Sequence, residues 1–185
     1  MTASDPVFRV GTRSSPLALI QAEEALQIVR ERLPARTFTL CPASSPGDRD
    51  KITDLRRCDP DFFTRDLHDA VRSGALSAAI HSAKDLEDPL PAGIDGFWLP
   101  QPADPRDVVV LRPGRTWGDL PETAVWGISS DRREAYLRRR FPAAQSRGIR
   151  GTIEERIAQL DAGHYDALIL AGAATPPASY GQPVE

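Results

Sequence analysis

The stretch Leu76-Ser77-Ala78-Ala79-Ile80-His81-Ser82-Ala83-Lys84-Asp85 runs small and apolar, then breaks into His, Ser, Lys and Asp. Such a change fits a buried central strand, covered on both faces, that ends in a site. Open α/β sheets bind their ligands at the carboxyl ends of strands. The same pattern fits a strand followed by an ordinary polar loop, since periodicity does not separate the two. A second polar cluster, Thr12-Arg13-Ser14-Ser15-Pro16, follows the apolar Val7-Phe8-Arg9-Val10-Gly11. Ser15 is suited to cap a helix that has Pro16 in its first turn. A helix amino terminus beside Arg13 offers donors to an anion. A third cluster is Ser129-Ser130-Asp131-Arg132-Arg133. A serine again caps a helix, but two arginines in the first turn oppose the helix dipole and call for an anionic partner. Residues 129 to 156 hold eight arginines against four acids, although the whole chain carries a net charge of -3.

The elements that must position these clusters are legible in outline. Leu17, Ile20, Ala22 and Leu26 follow Pro16 at helical spacing, and Thr37 to Cys41 alternate as a strand. Pro42 to Arg57 reads as a mobile polar loop whose Asp48, Asp50 and Asp54 are solvated rather than metal-binding. Phe62 to Ser73 reads as a helix that buries Phe63, Leu67 and Val71, stops at Gly74 and leaves His68 on the surface. Phe97-Trp98-Leu99 is a short strand. Three prolines between Pro100 and Pro105 mark a domain boundary. Beyond it come strands at Asp107 to Leu111 and Ala124 to Ile128, and a helix ending in the solvated run Arg138-Arg139-Arg140. Thr152 and Glu155 form a capping box before Ile153, Ile157 and Leu160. A buried strand follows at Asp166 to Ala171. The expected division is an α/β domain over 1–100, another over 101–175 and a tail over 176–185.

Composition narrows the function classes. With 41% hydrophobic and 26% charged residues, the chain has the balance of a globular protein. No apolar run reaches the ~20 residues of a membrane span, and the amino terminus shows no signal-peptide pattern. A cytoplasmic protein with no membrane partner is expected. Cys41 and Cys58 are too few and too far apart for a metal cluster or a disulfide framework, so no metal is expected. Of the 23 basic residues only Lys51 and Lys84 are lysines. Net acidity, with no aromatic platform among the arginines, argues against nucleic acid as a partner.

Taken in order, Gly11-Thr12-Arg13, Ser15-Pro16-Leu17-Ala18-Leu19, Gly47-Asp48, Phe63-Thr64-Arg65-Asp66-Leu67, His81-Ser82, Lys84-Asp85, Asp104-Pro105-Arg106-Asp107, Ser129-Ser130, Arg132-Arg133, Ile149-Arg150-Gly151 and Tyr165-Asp166-Ala167 form a familiar series. The chain resembles the hydroxymethylbilane synthase, or porphobilinogen deaminase, family from about residue 7 to 174. The resemblance implies an α/β fold of two small domains like the lobes of a type II periplasmic binding protein, and the third domain of the family is expected to be absent from these residues. It implies tetrapyrrole biosynthesis: porphobilinogen units joined head to tail, with loss of ammonia, on a dipyrromethane primer tethered to a cysteine of that third domain. It assigns catalysis to Asp85. The ligand's carboxylates fall to Arg13, Ser15, Ser82, Lys84, Ser129, Ser130, Arg132, Arg133, Arg150, Gly151 and Arg156.

The departures from the family pattern carry expectations of their own. Cys58-Asp59-Pro60-Asp61 stands where the family has a glycine- and lysine-containing loop, Ile128 replaces a threonine and Thr152 an asparagine. Neither cysteine matches the tether, so the attachment site is expected to be missing from this chain and to belong to a separate or lost carboxyl-terminal domain. A non-catalytic, two-lobed binder of an anionic pyrrole or polycarboxylate is the alternative.

Overall fold

The computed structural model describes residues 7–99, 104–174 and 182–183. The chain divides into two units, Met1–Asp50 with Asp59–Pro100, and Lys51–Cys58 with Gln101–Glu185. A single boundary at residue 100 would leave residues 51–58 with the first domain, whereas they cluster with the second unit. Most of the proline-rich crossing, residues 100–103, lies outside the described residues.

In the first unit three parallel strands form a sheet in the order β2-β1-β3: β1 is Val7–Arg13, β2 Thr37–Ala43 and β3 Ala78–Ala79. The helix α1, Pro16–Arg32, starts on Ser15, whose Oγ accepts a hydrogen bond from the Ala18 N–H at 3.3 Å. It buries Ala22, Ala25 and Leu26. Ile20, expected among the apolar positions, is exposed instead. At 3.6 residues per turn it stands roughly 200° around the helix from Ala22.

Other expectations for this unit are corrected by packing. Pro42 to Arg57 is not a featureless loop: Ser45 and Asp48 form a capping box around the short helix α2, Pro46–Arg49, and in the part that belongs to the second unit Asp54 caps a 3-10 turn at Leu55–Arg57. The helix expected over Phe62 to Ser73 begins only at Arg65, as α3, Arg65–Arg72, with Gly74 just beyond it at φ +75°. Its inner face follows Thr64, Leu67 and His68, which are i, i+3 and i+4, so His68 is buried rather than on the surface. The strand β3 is shorter than expected and, among the described residues, pairs only with β1. Ser77 and Ala78 are exposed, so this strand is not covered on both faces. Phe97 to Leu99 form no strand, and Phe97 is 80% exposed.

The second unit holds a five-stranded sheet in the order β6-β5-β7-β4-β8. Its strands are β4 Asp107–Leu111, β5 Val125–Ile128, β6 Gln145–Gly148, β7 Ala167–Ala171 and β8 Gln182–Pro183. β5 runs parallel to β6 and β7, whereas β4 is antiparallel to β7. The run Ala167-Leu168-Ile169-Leu170 is apolar throughout because it is buried on both faces. Ala167 and Ile169 pack with Trp126, Ile128 and Leu137, while Leu168 and Leu170 pack with Val110, Ile149 and Leu160. Leu137 comes from α4, Asp131–Arg140, and Leu160 from α5, Ile153–Asp161. Burying each such side chain contributes about 1.5–3 kcal/mol. β6 is polar and was not foreseen. Gln182–Pro183, expected in the tail, pairs with Val108 and Val109; the rest of residues 175–185 lies outside the described residues. No helix among the described residues is long and apolar enough to cross a membrane.

Candidate functional site

Parallel pairing brings the carboxyl ends of β1, β2 and β3 to one end of the first sheet, and each end delivers polar groups. Arg13 closes β1. Ser45 and Asp48 follow β2. His81, Ser82 and the 3-10 turn Ala83–Asp85 follow β3. Arg13 is the hub. Its Nε lies 3.2 Å from both Asp48 oxygens, Nη2 also pairs with Asp48, and Nη1 reaches Asp85 Oδ2 at 3.3 Å. The Phe63 ring lies against the guanidinium, 4.1 Å from its centroid. Gly47 is required here, because a Cβ at that position would run into the Phe63 ring.

Asp85 is held on both oxygens, since Lys84 Nζ meets Oδ1 at 3.1 Å. Ser82 donates to Gln21 Oε1 at 2.8 Å, and Ser15 is occupied as the α1 cap. Burial pushes the Asp48 carboxyl up, but hydrogen bonds from Arg13 and Ser45 and the Arg13 charge outweigh it, leaving it below the usual carboxylate range. Behind this cluster His81 and His68 stack edge to face, with centroids 5.2 Å apart. Burial, reinforced by His68, pushes His81 down to about 4. Both of its ring nitrogens are buried without a hydrogen-bond partner. At neutral pH it is therefore an uncharged wall beside Asp85.

The second unit repeats the device. Ser129 and Ser130 follow β5, and Ile149, Arg150 and Gly151 follow β6. Asp107 enters from the antiparallel β4, whose amino end lies beside the carboxyl end of β7. Ser130 Oγ accepts the Arg133 N–H at 3.4 Å and caps α4. Ser129 Oγ accepts from Arg156 Nη1 at 3.0 Å, and Arg156 Nε donates to the Gly151 carbonyl at 2.9 Å. Gly151 sits at φ +107°, and a Cβ there would collide with the Glu155 carboxylate that closes the capping box onto Thr152. The main chain at Arg150 is fixed too, its carbonyl accepting from Gln159 Nε2 at 3.0 Å.

The anionic partner demanded by the arginines of α4 is Asp107. Arg133 binds it as a fork, Nη2 to Oδ1 at 2.7 Å and Nε to Oδ2 at 3.2 Å, and Arg132 adds a bond to Oδ2 at 3.2 Å. The segment Lys51–Cys58 also belongs to this unit. Lys51 pairs with Glu155 at 2.5 Å, and Arg56 joins Asp54 to Glu134.

Thus Arg13, Ser15, Ser82, Lys84 and Asp85 gather at one sheet end of the first unit. Ser129, Ser130, Arg132, Arg133, Arg150, Gly151 and Arg156 gather at one sheet end of the second. Two participants were missed as site residues, Asp48 and Asp107. The first had a signal in the Ser45-x-x-Asp48 capping spacing. The second stood in the Asp104-Pro105-Arg106-Asp107 motif but had no local signal for its pairing, because its partners lie 25 and 26 positions away on another element. Asp48 and Asp54, expected to be solvated, are instead spent on Arg13 and Arg56. Among the described residues no cluster of His, Cys, Asp and Glu is arranged to hold a metal.

Residues 8–176 match the family described as "Porphobilinogen deaminase, dipyromethane cofactor binding domain". The chain is 34% identical to the porphobilinogen deaminase of Phenylobacterium zucineum over 91% of its own length and 56% of that protein. It is 36% identical to the porphobilinogen deaminase of Deinococcus radiodurans over 89% of its length and 54% of that protein. The chain therefore spans about half the length of these curated relatives. Among solved structures it is similar to the periplasmic VFT2 domain of Bordetella pertussis BvgS, with a TM-score of 0.51 at 16% identity over 90% of this chain and 67% of that one. The mixed α/β fold, of the type II periplasmic-binding-protein kind, is common to both.

Proposed function

Because the chain belongs to the porphobilinogen deaminase family, we propose that its two units bind porphobilinogen and a dipyrromethane primer and take part in joining pyrroles with release of ammonia. The observation that carries this reading is Asp85, a half-buried carboxylate at the carboxyl end of β3, fixed between Arg13 and Lys84.

The residues suit a polycarboxylate ligand. Each pyrrole bears an acetate and a propionate, and guanidinium or ammonium groups open to solvent are needed to meet them. Lys84 is 59% and Arg132 78% exposed at these sheet ends. When bound, the dipyrromethane supplies the acceptor pyrrole. Breaking the C–N bond of the substrate's aminomethyl group places positive charge on its ring. A new C–C bond to the acceptor's α-carbon then requires loss of the proton carried there. Asp85 stabilises the first charge and takes up the proton. Arg13 keeps the Asp85 carboxylate in place.

The test is to incubate the protein with porphobilinogen and follow ammonia together with calorimetric binding. Binding with ammonia release supports the enzyme. Binding without release supports the second reading, a pyrrole or polycarboxylate clamp, which is favoured by the engagement of both Asp85 oxygens in ion pairs. No binding sinks both.

Nucleic acid is not part of the proposal, since Arg133, Arg138 and Arg156 are already paired within the unit. Nor do we assign the primer's thioether to this chain's thiols. Cys41 Sγ donates to the Thr39 carbonyl at 3.7 Å, and Cys58 Sγ to the Asp54 carbonyl at 3.5 Å. Protein made in a porphobilinogen-producing host is expected to show its unmodified intact mass. An added two-pyrrole unit mapped to Cys41 or Cys58 would reverse the assignment.

A further inference from the structure

Three largely buried side chains that the proposed chemistry does not use meet behind the turn carrying Asp85. His68 comes from α3, His81 from the end of β3, and Glu87 from just past the turn Ala83–Asp85. His68 is 4% exposed and lies edge to face on His81, with ring centroids 5.2 Å apart. Its Nδ1 is 3.9 Å from Glu87 Oε2, close enough for an ion pair but too far for a hydrogen bond. Both ring nitrogens of His81 and Oε2 of Glu87 are buried with no hydrogen-bond partner. Such atoms gathered in one place destabilise the closed arrangement and call for a reason. His81 and Glu87 are also the two ends of the segment that carries Ser82, Lys84 and Asp85, and both converge on His68. We propose that His68, His81 and Glu87 form a proton-sensitive clasp that pins this segment to α3 at neutral pH and releases it in acid, while the rest of the first unit stays folded. The inference concerns how the segment is held, and it stands whichever ligand the segment meets.

Geometry makes the opening local. The ladder between β3 and β1 ends at Ile80, whose N–H donates to the Gly11 carbonyl at 2.8 Å. Beyond it the N–H groups of Asp85 and Leu86 turn back on the Ser82 and Ala83 carbonyls, inside the segment itself. Its outward hydrogen bonds are those of side chains, Ser82 to Gln21 at 2.8 Å and Arg13 to Asp85 at 3.3 Å. The helix α3 has an anchor of its own, since Leu67 packs so closely over Gly11 of β1 that a Cβ there would collide with it. Release of the segment therefore leaves α3 seated on the sheet.

Burial supplies the proton dependence. His81 faces His68 from α3, Arg13 from β1 and Asp85 from its own turn. His68 faces Glu87, Asp61, and Asp69 and Arg72 of its own helix. Burial is the largest influence on both imidazoles and holds both below the ordinary value of 6.5, His81 at about 4. A released segment returns the rings to water and to their ordinary value. The closed form thus has its full advantage above pH 6.5, loses it progressively as pH falls from there, and bears the whole penalty below about 4.

Hydrogen exchange read by mass spectrometry on the full chain, corrected for intrinsic exchange rates, tests the clasp. Between pH 7.5 and pH 5.0 the open population of residues 81–87 is expected to rise about 25-fold from His81 alone, while α1 keeps its protection. His81→Phe retains an edge-to-face ring without a titrating nitrogen and is expected to cut that rise. His68→Phe combined with His81→Phe is expected to hold it within about threefold. Circular dichroism checks the fold of the variants. If they do not fold, the imidazole proton resonances of the unaltered protein decide, and the His81 ring is expected to stay unprotonated down to pH 5. A segment whose protection is independent of pH overturns the proposal. So does a double variant that opens as steeply as the unaltered protein, an α1 that opens in parallel with the segment, or a His81 ring that titrates near 6.5.

Discussion

Asp85→Asn is expected to lower ammonia release from porphobilinogen about 100- to 1,000-fold, or about 3 kcal/mol, in protein that turns the substrate over. The two side chains have nearly the same shape, and an asparagine oxygen still accepts from Arg13 or Lys84. What disappears is the negative charge opposite a cation that exists only during reaction, so the loss falls on turnover rather than on ligand affinity. Stability should change little, because Arg13 keeps its forked contact with Asp48 when Asp85 is neutralised. The checks are single-turnover rates, calorimetric affinity for porphobilinogen and a urea midpoint on the same preparation. Full turnover in the variant would remove Asp85 from the chemistry. A large drop in urea midpoint would instead assign it to the fold.

Arg13→Leu is expected to damage the protein in the other way, by about 2–4 kcal/mol of stability. Breaking a buried pair costs about 3–5 kcal/mol, reduced here because both partners keep some contact with solvent. The substitution strands Asp48 in a half-buried setting with only Ser45 as a donor, removes a bond to Asp85 and takes the cation from the Phe63 face.

The pH dependence follows from the sign of the Asp48 shift. In the unaltered protein Asp48 lies below its unfolded value, so its contribution is present above that value and is lost as pH falls through the folded one. Without Arg13, burial raises the Asp48 carboxyl, and the penalty at neutral pH is relieved as acid protonates it. The stability gap between the two proteins should thus be larger at pH 7 than near pH 4. Urea unfolding at both values measures it, and a gap independent of pH would mean that Asp48 is not the group left stranded. Arg13→Lys keeps the charge without the fork and should lie between the two.

The two units solve one positioning problem twice. In the first, a strand ends in Arg13 and passes through Ser15 into α1. In the second, a strand ends at Ile128 and passes through Ser129 and Ser130 into α4. In each a serine caps the helix while an aspartate from elsewhere in the unit, Asp48 or Asp107, fixes the arginine. An arginine without that partner would sweep many rotamers, and the entropy of fixing it would fall on the ligand. The partner reduces both the freedom and the free charge of the site.

By itself the sequence determined what local chemistry dictates. Ser15 with Pro16, Ser130, and Thr152 with Glu155 start helices because their side chains satisfy orphan N–H groups within a few residues. The apolar run from Ala167 to Leu170 had to be a strand buried on both faces, and the ordered motifs from Gly11 to Ala167 carried the family. Tertiary structure decided whatever depends on partners distant along the chain. Leu76 to Ile80 read as a covered central strand, yet only Ala78–Ala79 pair, because coverage is a property of neighbouring elements. His68 lay off one apolar stripe but within the face that α3 presents inward. The acids of the Pro42 to Arg57 loop looked solvated until Arg13, 35 positions from Asp48, closed on one of them. Arg132 and Arg133 are neighbours of the same residue type, and nothing in their order separates them. Asp107 does so, because an antiparallel strand carries its carboxylate to Arg133 and leaves Arg132 facing solvent.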